Sequence, residues 1–149
     1  MANDNRCVFC GQSLRGFRSI SIYCANTTQN ACRNCANELN RLDNTERCRR
    51  ALLLGLADQP ELLRERIELS TEAEAHRPKC LRCGGKLVFM QEQHLDNTPH
   101  GSSVLSRYFE VLPAFCHTCG RYEFFNPATV RSNRYLKHLI DKDTWDHEK

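Results

Sequence analysis

The period of apolar and polar positions changes several times along the chain, and each change predicts an element. In "LRGFRSISIYC" (14–24), Ile20, Ile22 and Cys24 alternate with polar neighbours while Phe17 falls out of phase. Period-two alternation predicts a β-hairpin over 14–24. Residues 25–30, "ANTTQN", have the composition of a turn. Good helix formers follow in "CANELNRL" and predict a first helix over 32–42. "DNTERCRRALLLGLADQ" (43–59) reads as a stop and a restart, with Asn44 or Thr45 as N-cap. Asp58 and Glu61, with Pro60 in the first turn, form a capping-box pattern that starts a further helix running to about 75. That helix ends at "HRPK", because the residue before a proline avoids the α region.

The second half reads differently. "KLVFMQE" (86–92) predicts a strand, and "QHLDNTPHGSS" (93–103) a long polar hairpin tip. "VLSRYFEVLPAF" (104–115) and "RYEFF" (121–125) predict two more strands. In "PATVRSNRYLKHLIDKD" (127–143), Tyr135, Leu136, Leu139 and Ile140 recur at helical spacing and predict a short helix that docks on one of the modules.

Cysteine decides what these elements are built around. Of ten cysteines, eight form four C-x-x-C pairs: Cys7/Cys10, Cys32/Cys35, Cys80/Cys83 and Cys116/Cys119. The N-terminal "MANDNRC" is polar with no apolar h-region, so the chain reads as cytoplasmic, where thiols stay reduced. No βαβ pattern accompanies the pairs, which argues against a thioredoxin-like redox motif. Two residues between paired cysteines let both sulfurs of one turn face one ion, and two such pairs supply the four thiolates of a structural zinc site. Because 44 residues separate Cys35 from Cys80, the first pair belongs with the second and the third with the fourth. Two structural Zn2+ ions per chain are expected.

"CVFCGQSL" (7–14) and "CLRCGGKL" (80–87) repeat the pattern C-x-x-C-G-x-x-L. Gly11, Gly84 and Gly120 follow three of the four pairs and suit a tight knuckle, since glycine tolerates positive φ. Ala36 follows the remaining pair, so Cys32 and Cys35 are expected at the start of a helix, where the dipole favours thiolate. The expected architecture is a small metal-bound α+β protein. It has a treble-clef-like zinc module over 1–44, a helical linker over 45–77, a three-stranded zinc ribbon over 78–127, and a C-terminal helix and tail over 128–149. Modules this small need metal to hold a fold.

Cys7, Cys10 and Gly11, then a hairpin, then Cys32 and Cys35 opening a helix resemble short bacterial zinc-binding domains of unknown function, over about 5–43. "CLRCGGKLVF", then a strand, then "CHTCGRYEFFNP" is similar to another small bacterial zinc-ribbon type, over about 78–127. The resemblance implies a zinc-binding fold and adds no catalytic residues.

Charge bears on partners. The formal net charge is +3, and two tetrathiolate zinc sites at −2 each take it to −1. A strong nonspecific nucleic-acid binder is clearly basic. Arginines such as Arg15, Arg18, Arg49 and Arg50 make a local nucleic-acid surface the second reading, with a solvated mixed face as the simpler one. The first reading is a protein partner. Leu52, Leu53, Leu54, Leu56, Leu62, Leu63 and Ile67 are more than a lone helix pair hides internally. They must cover the modules, a partner, or a second copy of the chain. Protein binding is expected to depend on Leu53, Leu56 and Leu63.

Catalysis is not expected. A catalytic zinc keeps an open position, whereas both sites here are filled by cysteine. His94, Asp96 and His100 read as exposed loop residues, and His117 sits inside a knuckle whose cysteines already complete the site. No P-loop, dinucleotide fingerprint or nucleophile elbow is present. Cys24 and Cys48 are left over. Each reads as a small buried hydrophobe, with ligand exchange at the first site as the alternative for Cys24.

Overall fold

The computed structural model describes residues 5–14, 19–96 and 108–146. The chain divides into two compact units, Met1–Thr71 and Glu72–Lys149. Among the described residues no helix is long and apolar enough to cross a membrane.

In the first unit, β1 (Ile20–Cys24) and β2 (Thr27–Ala31) form an antiparallel hairpin in which Cys24 faces Thr27. The hairpin therefore lies later than the sequence suggests, and most of "ANTTQN" is strand. Only Ala25 and Asn26 turn the chain, with Ala25 at φ 54°. Alternation in β2 is hidden because its inward residues are Thr27, Gln29 and Ala31. Gln29 is buried because every polar atom of its amide is used. Its Nε2 donates to Thr27 Oγ1 (2.9 Å) and to Asp58 O (2.8 Å), and its Oε1 accepts from Asp58 N (2.9 Å). A buried amide so satisfied costs little.

Three helices follow: α1 (Arg33–Leu39), α2 (Asn44–Leu52) and α3 (Pro60–Ala75). Helix α1 stops three residues short of the predicted end. The cap of α2 is Asp43, whose side chain accepts from Glu46 N (2.8 Å), not Asn44 or Thr45. Asn44 is instead occupied with Ala25 N (2.7 Å). The residue preceding Pro60 in α3 is Gln59 at φ 50°, while Asp58 engages Gln29 through its main chain. Thr45, Cys48 and Ala51 form the buried face of α2, which packs against β1. The core gathers Leu14, Ile22, Leu39, Cys48 and Leu63, with Leu52 and Ile67 partly buried against it. Residues 45–71 thus pack into this unit.

In the second unit, β3 (Leu87–Phe89), β4 (Gln93–Asp96), β5 (Tyr108–Cys116) and β6 (Tyr122–Phe125) form one antiparallel sheet. Both β3 and β4 pair with β5, so the sheet is three strands wide with one edge interrupted. The register shifts by one between Phe89↔Ala114 and Gln93↔Val111, the mark of a one-residue bulge. The bulge breaks the alternation, and the predicted polar tip accordingly begins with a strand. Leu87, Phe89, Leu112 and Ala114 share a core with Leu139 and Ile140 of α5 (Arg134–Asp146), and α4 (Pro127–Arg131) adds Val130 to it. The terminal helix docks as its spacing predicts.

The end of α3 is locked to this core by Arg77. Its five N–H donors all have partners: Glu74 Oε2 and Oε1 (both 2.8 Å), Asp143 Oδ2 (2.6 Å) and Oδ1 (2.9 Å), and Leu87 O (2.8 Å). Asp143 Oδ2 also accepts from Phe89 N (2.8 Å), and Lys142 reaches Glu74 (2.9 Å). Within the second unit, one guanidinium thereby joins the last turn of α3, β3 and α5.

Candidate metal centres

The knuckles are one structure repeated three times. Cys7 N donates to Gln12 O (2.8 Å) and Gly11 N to Cys7 O (2.8 Å). The same two bonds recur as Cys80 N to Gly85 O (2.7 Å) with Gly84 N to Cys80 O (2.8 Å), and as Cys116 N to Arg121 O (2.9 Å) with Gly120 N to Cys116 O (2.8 Å). Flanking residues pair across each turn: Arg6 with Ser13, Lys79 with Lys86, Phe115 with Tyr122. The closing glycines have φ of 74°, 71° and 74°, a conformation costly for any residue with a Cβ. In the repeated motif, Leu14 and Leu87 are both buried, so the last position anchors the turn in a core. The second pair departs as Ala36 predicts: Cys32 is the N-cap of α1 and Cys35 lies in its first turn.

These turns bring the eight cysteines into the two groups that their spacing predicts. Cys7, Cys10, Cys32 and Cys35 place their sulfurs all within 4.8 Å of one another, and so do Cys80, Cys83, Cys116 and Cys119. Cys10–Cys32, Cys80–Cys119 and Cys83–Cys116 are 3.8, 3.6 and 3.5 Å apart. A tetrahedral zinc site with ligands at about 2.3 Å has edges of about 3.8 Å, so both donor sets fit that ion. The burial order is the same in both, with the first cysteine of each pair buried and Cys10 and Cys83 exposed.

Electrostatics agrees with the donor count. Burial pushes the Cys7 thiol up, but the N–H groups of Cys32, Phe9 and Cys10 donate to its sulfur and hold it at about 7. The Cys119 N–H draws Cys116 down against burial, and with Cys83 and the Thr118 N–H sets it at about 6. Cys83 goes the other way: the Gly85 N–H lowers it, but Cys116 and burial push it up to about 12. Cys35 is raised by burial and by the thiols of Cys32, Cys10 and Cys7. Four sulfurs this close repel as thiolates, and a dication among them is what lets all four ionise.

Gly85 is a constraint that the spacing alone does not reveal. A Cβ there would lie 2.7 Å from Thr118 Oγ1 and 3.1 Å from Cys116 Sγ. Gly85→Ala should therefore displace a ligand and weaken metal at the second centre about tenfold or more, as loss of an outer-shell contact does. Competition against a chromophoric chelator would show one of the two affinities falling and the other unchanged.

Other candidates fall elsewhere. Cys24 and Cys48 stand outside both clusters, fully buried in the first core, where Cys48 Sγ donates to Asn44 Oδ1 (3.5 Å). Cys48 beside it, then burial, pushes Cys24 up. His94 and Asp96 lie on β4, His117 in the third knuckle against Phe115, and His100 outside the described residues. Arg49 pairs with Glu46, and Arg50 with Glu38 and Glu46; Arg15 and Arg18 lie outside the described residues. Leu63 is core, whereas Leu53 is 77% exposed, with Leu54, Leu56 and Leu62 also exposed. Arg77 and Asp143 had no signal in the sequence, since their pairing spans 66 residues.

Comparison of the chain with family models, with curated proteins and with solved structures found no match. The two four-cysteine groups, positioned to bind metal within a small α+β fold, are what the structure establishes.

Proposed function

We propose that this protein is a non-catalytic scaffold whose two clusters each hold one structural Zn2+ and whose folded surfaces dock a protein partner. The observation that carries the reading is the complete four-thiol donor set at both centres. Four thiolates fill a tetrahedron and leave no position for a reacting water. The order knuckle, hairpin and helix-borne second pair supports a treble-clef-like first module. Two knuckles at one end of a three-stranded sheet support a zinc ribbon for the second. Both are in keeping with the resemblance to small bacterial zinc-binding proteins, and reduced thiols suit a cytoplasmic setting.

The docking surface is the turn between α2 and α3, where Leu53, Leu54 and Leu56 are exposed together. It adjoins the first centre: Leu54 Cδ1 would lie 3.7 Å from a Cβ on Gly11. Buried apolar anchors carry most interface energy. The double variant Leu53→Ser, Leu56→Ser should therefore lose a partner that the unaltered protein retains from its source lysate, while zinc content and circular dichroism stay the same. Retention of every partner by the variant would contradict this surface. The arginine reading is weaker, since Arg49 and Arg50 already serve carboxylates.

A further inference from the structure

We propose that Cys24 and Cys48 form a reactive thiol pair, which a small hydroperoxide converts to a disulfide inside the first unit. The pair is separate from the two clusters, and its chemistry goes beyond the protein-docking reading.

The fold sets the two side chains beside one another. Cys24 ends β1, Cys48 lies at the middle of α2, and both are fully buried in the first core. The buried face of α2 is Thr45, Cys48 and Ala51, and small residues at a contact bring packed elements close. Asn44 pins the seam. Its Oδ1 accepts from Ala25 N (2.7 Å), next to Cys24, and from Cys48 Sγ (3.5 Å). Each thiol is the main influence on the other's proton: Cys48 pushes Cys24 up, and Cys24 draws Cys48 down against burial. A cysteine sealed among apolar groups is inert, but Cys48 has polar company. The Ala25 N–H and the Arg66 guanidinium favour its thiolate, with Asp43 opposing them. Thr45 Oγ1 donates to Ser70 Oγ (3.0 Å) and holds α3 beside α2, with Arg66 one turn before Ser70. Arg66 Nε is buried and has no hydrogen-bond partner among the described residues. A buried donor left open is costly, and negative charge developing at Cys48 would supply its acceptor.

The reaction needs a hydroperoxide and nothing else. The Cys48 thiolate attacks one peroxide oxygen, so an S–O bond forms and the O–O bond breaks. With hydrogen peroxide, the departing hydroxide takes up a proton and becomes water. The Cys24 sulfur then attacks the sulfenic sulfur of Cys48. The S–S bond forms, the S–O bond breaks, and the hydroxyl leaves as water with the Cys24 proton. The two thiols give up two electrons, and the peroxide takes them. Burial limits the reaction to small oxidants that enter when α2 opens locally, and it keeps Cys24 at hand to trap the sulfenic acid. The new bond closes a loop over 24–48 that contains Cys32 and Cys35. Oxidation therefore staples the segment that carries half of the first cluster, and a closed loop favours the folded state.

The test titrates the zinc-loaded chain with hydrogen peroxide, then denatures, alkylates and digests it for peptide mass mapping. The expected product is a peptide pair joined through Cys24 and Cys48 and lighter by two hydrogens. It should form at a dose that leaves zinc content unchanged in native mass spectrometry. Mapping assigns the cross-link residue by residue, so its absence and a loss of zinc are seen separately. Cys24→Ala should leave Cys48 as a sulfenic acid that dimedone captures, whereas Cys48→Ala should leave Cys24 unreacted. Arg66→Gln should slow cross-linking about tenfold with circular dichroism unchanged, and Arg66→Lys should recover part of the rate. The mapping on the unaltered chain decides the matter even where a variant misfolds. Cys24 and Cys48 both still alkylated at a dose that already releases zinc would overturn the proposal. So would a cross-link from either one to a cluster cysteine, Cys48 carried to sulfinic acid without a cross-link, or cross-linking indifferent to Arg66.

Discussion

Replacing Cys116 by serine is expected to unfold the second unit of the 149-residue chain and leave the first folded. Cys116 is fully buried at the end of β5, where its sulfur faces Cys83 at 3.5 Å and its main chain closes the third knuckle. Serine there binds zinc poorly and leaves three thiolates crowded together. Structural zinc contributes on the order of 10–16 kcal/mol in small modules, comparable to or above the ~5–15 kcal/mol that holds a whole domain. The second core is small, with Leu87, Phe89, Leu112, Leu139 and Ile140 as its large buried side chains, and it does not replace that term. In a proton–nitrogen correlation spectrum, resonances of the sheet should collapse to the random-coil range while those of Ile22 and Leu39 keep their dispersion. A chelator should do the same to both units in turn. A C116S protein with its sheet resonances intact would show that packing alone holds that unit.

Arg77→Ala should be the most destabilising change away from the cysteines. The side chain is 6% exposed and its chief partner, Asp143, 7%. Removing the guanidinium strands a buried carboxylate that also serves Phe89 N, and breaking such a pair costs about 3–5 kcal/mol. Arg77→Lys should recover part of the loss, because an ammonium has three donors and no planar fork. Denaturant unfolding of the zinc-loaded protein would measure both. The network also predicts an acid limb. The Arg77 guanidinium, opposed by burial and helped by Lys142, holds Glu74 at about 2 against an ordinary 4.5. A lowered carboxyl pKa contributes stability that is complete above about 4.5 and is lost as pH falls through about 2. Glu74→Gln should flatten that part of the curve.

The two four-cysteine clusters were legible because their information is local. A C-x-x-C followed by glycine specifies a turn, and the turn aims two sulfurs, whatever lies between the pairs. Helix positions were legible to within a few residues for the same reason, as with the stop at "HRPK" and the amphipathic run ending in Leu139 and Ile140. What could not be read depends on distant partners. β2 looks like a turn because its inward residues are Thr27 and Gln29, and Gln29 is stable in a core only because Asp58 returns to its amide. β4 looks like a loop because a bulge at 90–92 shifts the alternation between Phe89 and Gln93. Asp43 outcompetes Asn44 as cap because Asn44 is drawn to Ala25. Leu53 and Leu63 are the same residue type with opposite fates, exposed and buried; only a place in the first core distinguishes them.

The central claim is that two separate four-cysteine clusters each hold one zinc ion. Native mass spectrometry of protein purified without chelator tests it directly, since mass reports metal per chain and accurate mass reports the protons displaced. The account predicts two zinc ions per chain. It also predicts one ion when Cys83 and Cys116 are both changed to serine. A chain carrying one zinc or none, or one that loses both ions together in that variant, would contradict it.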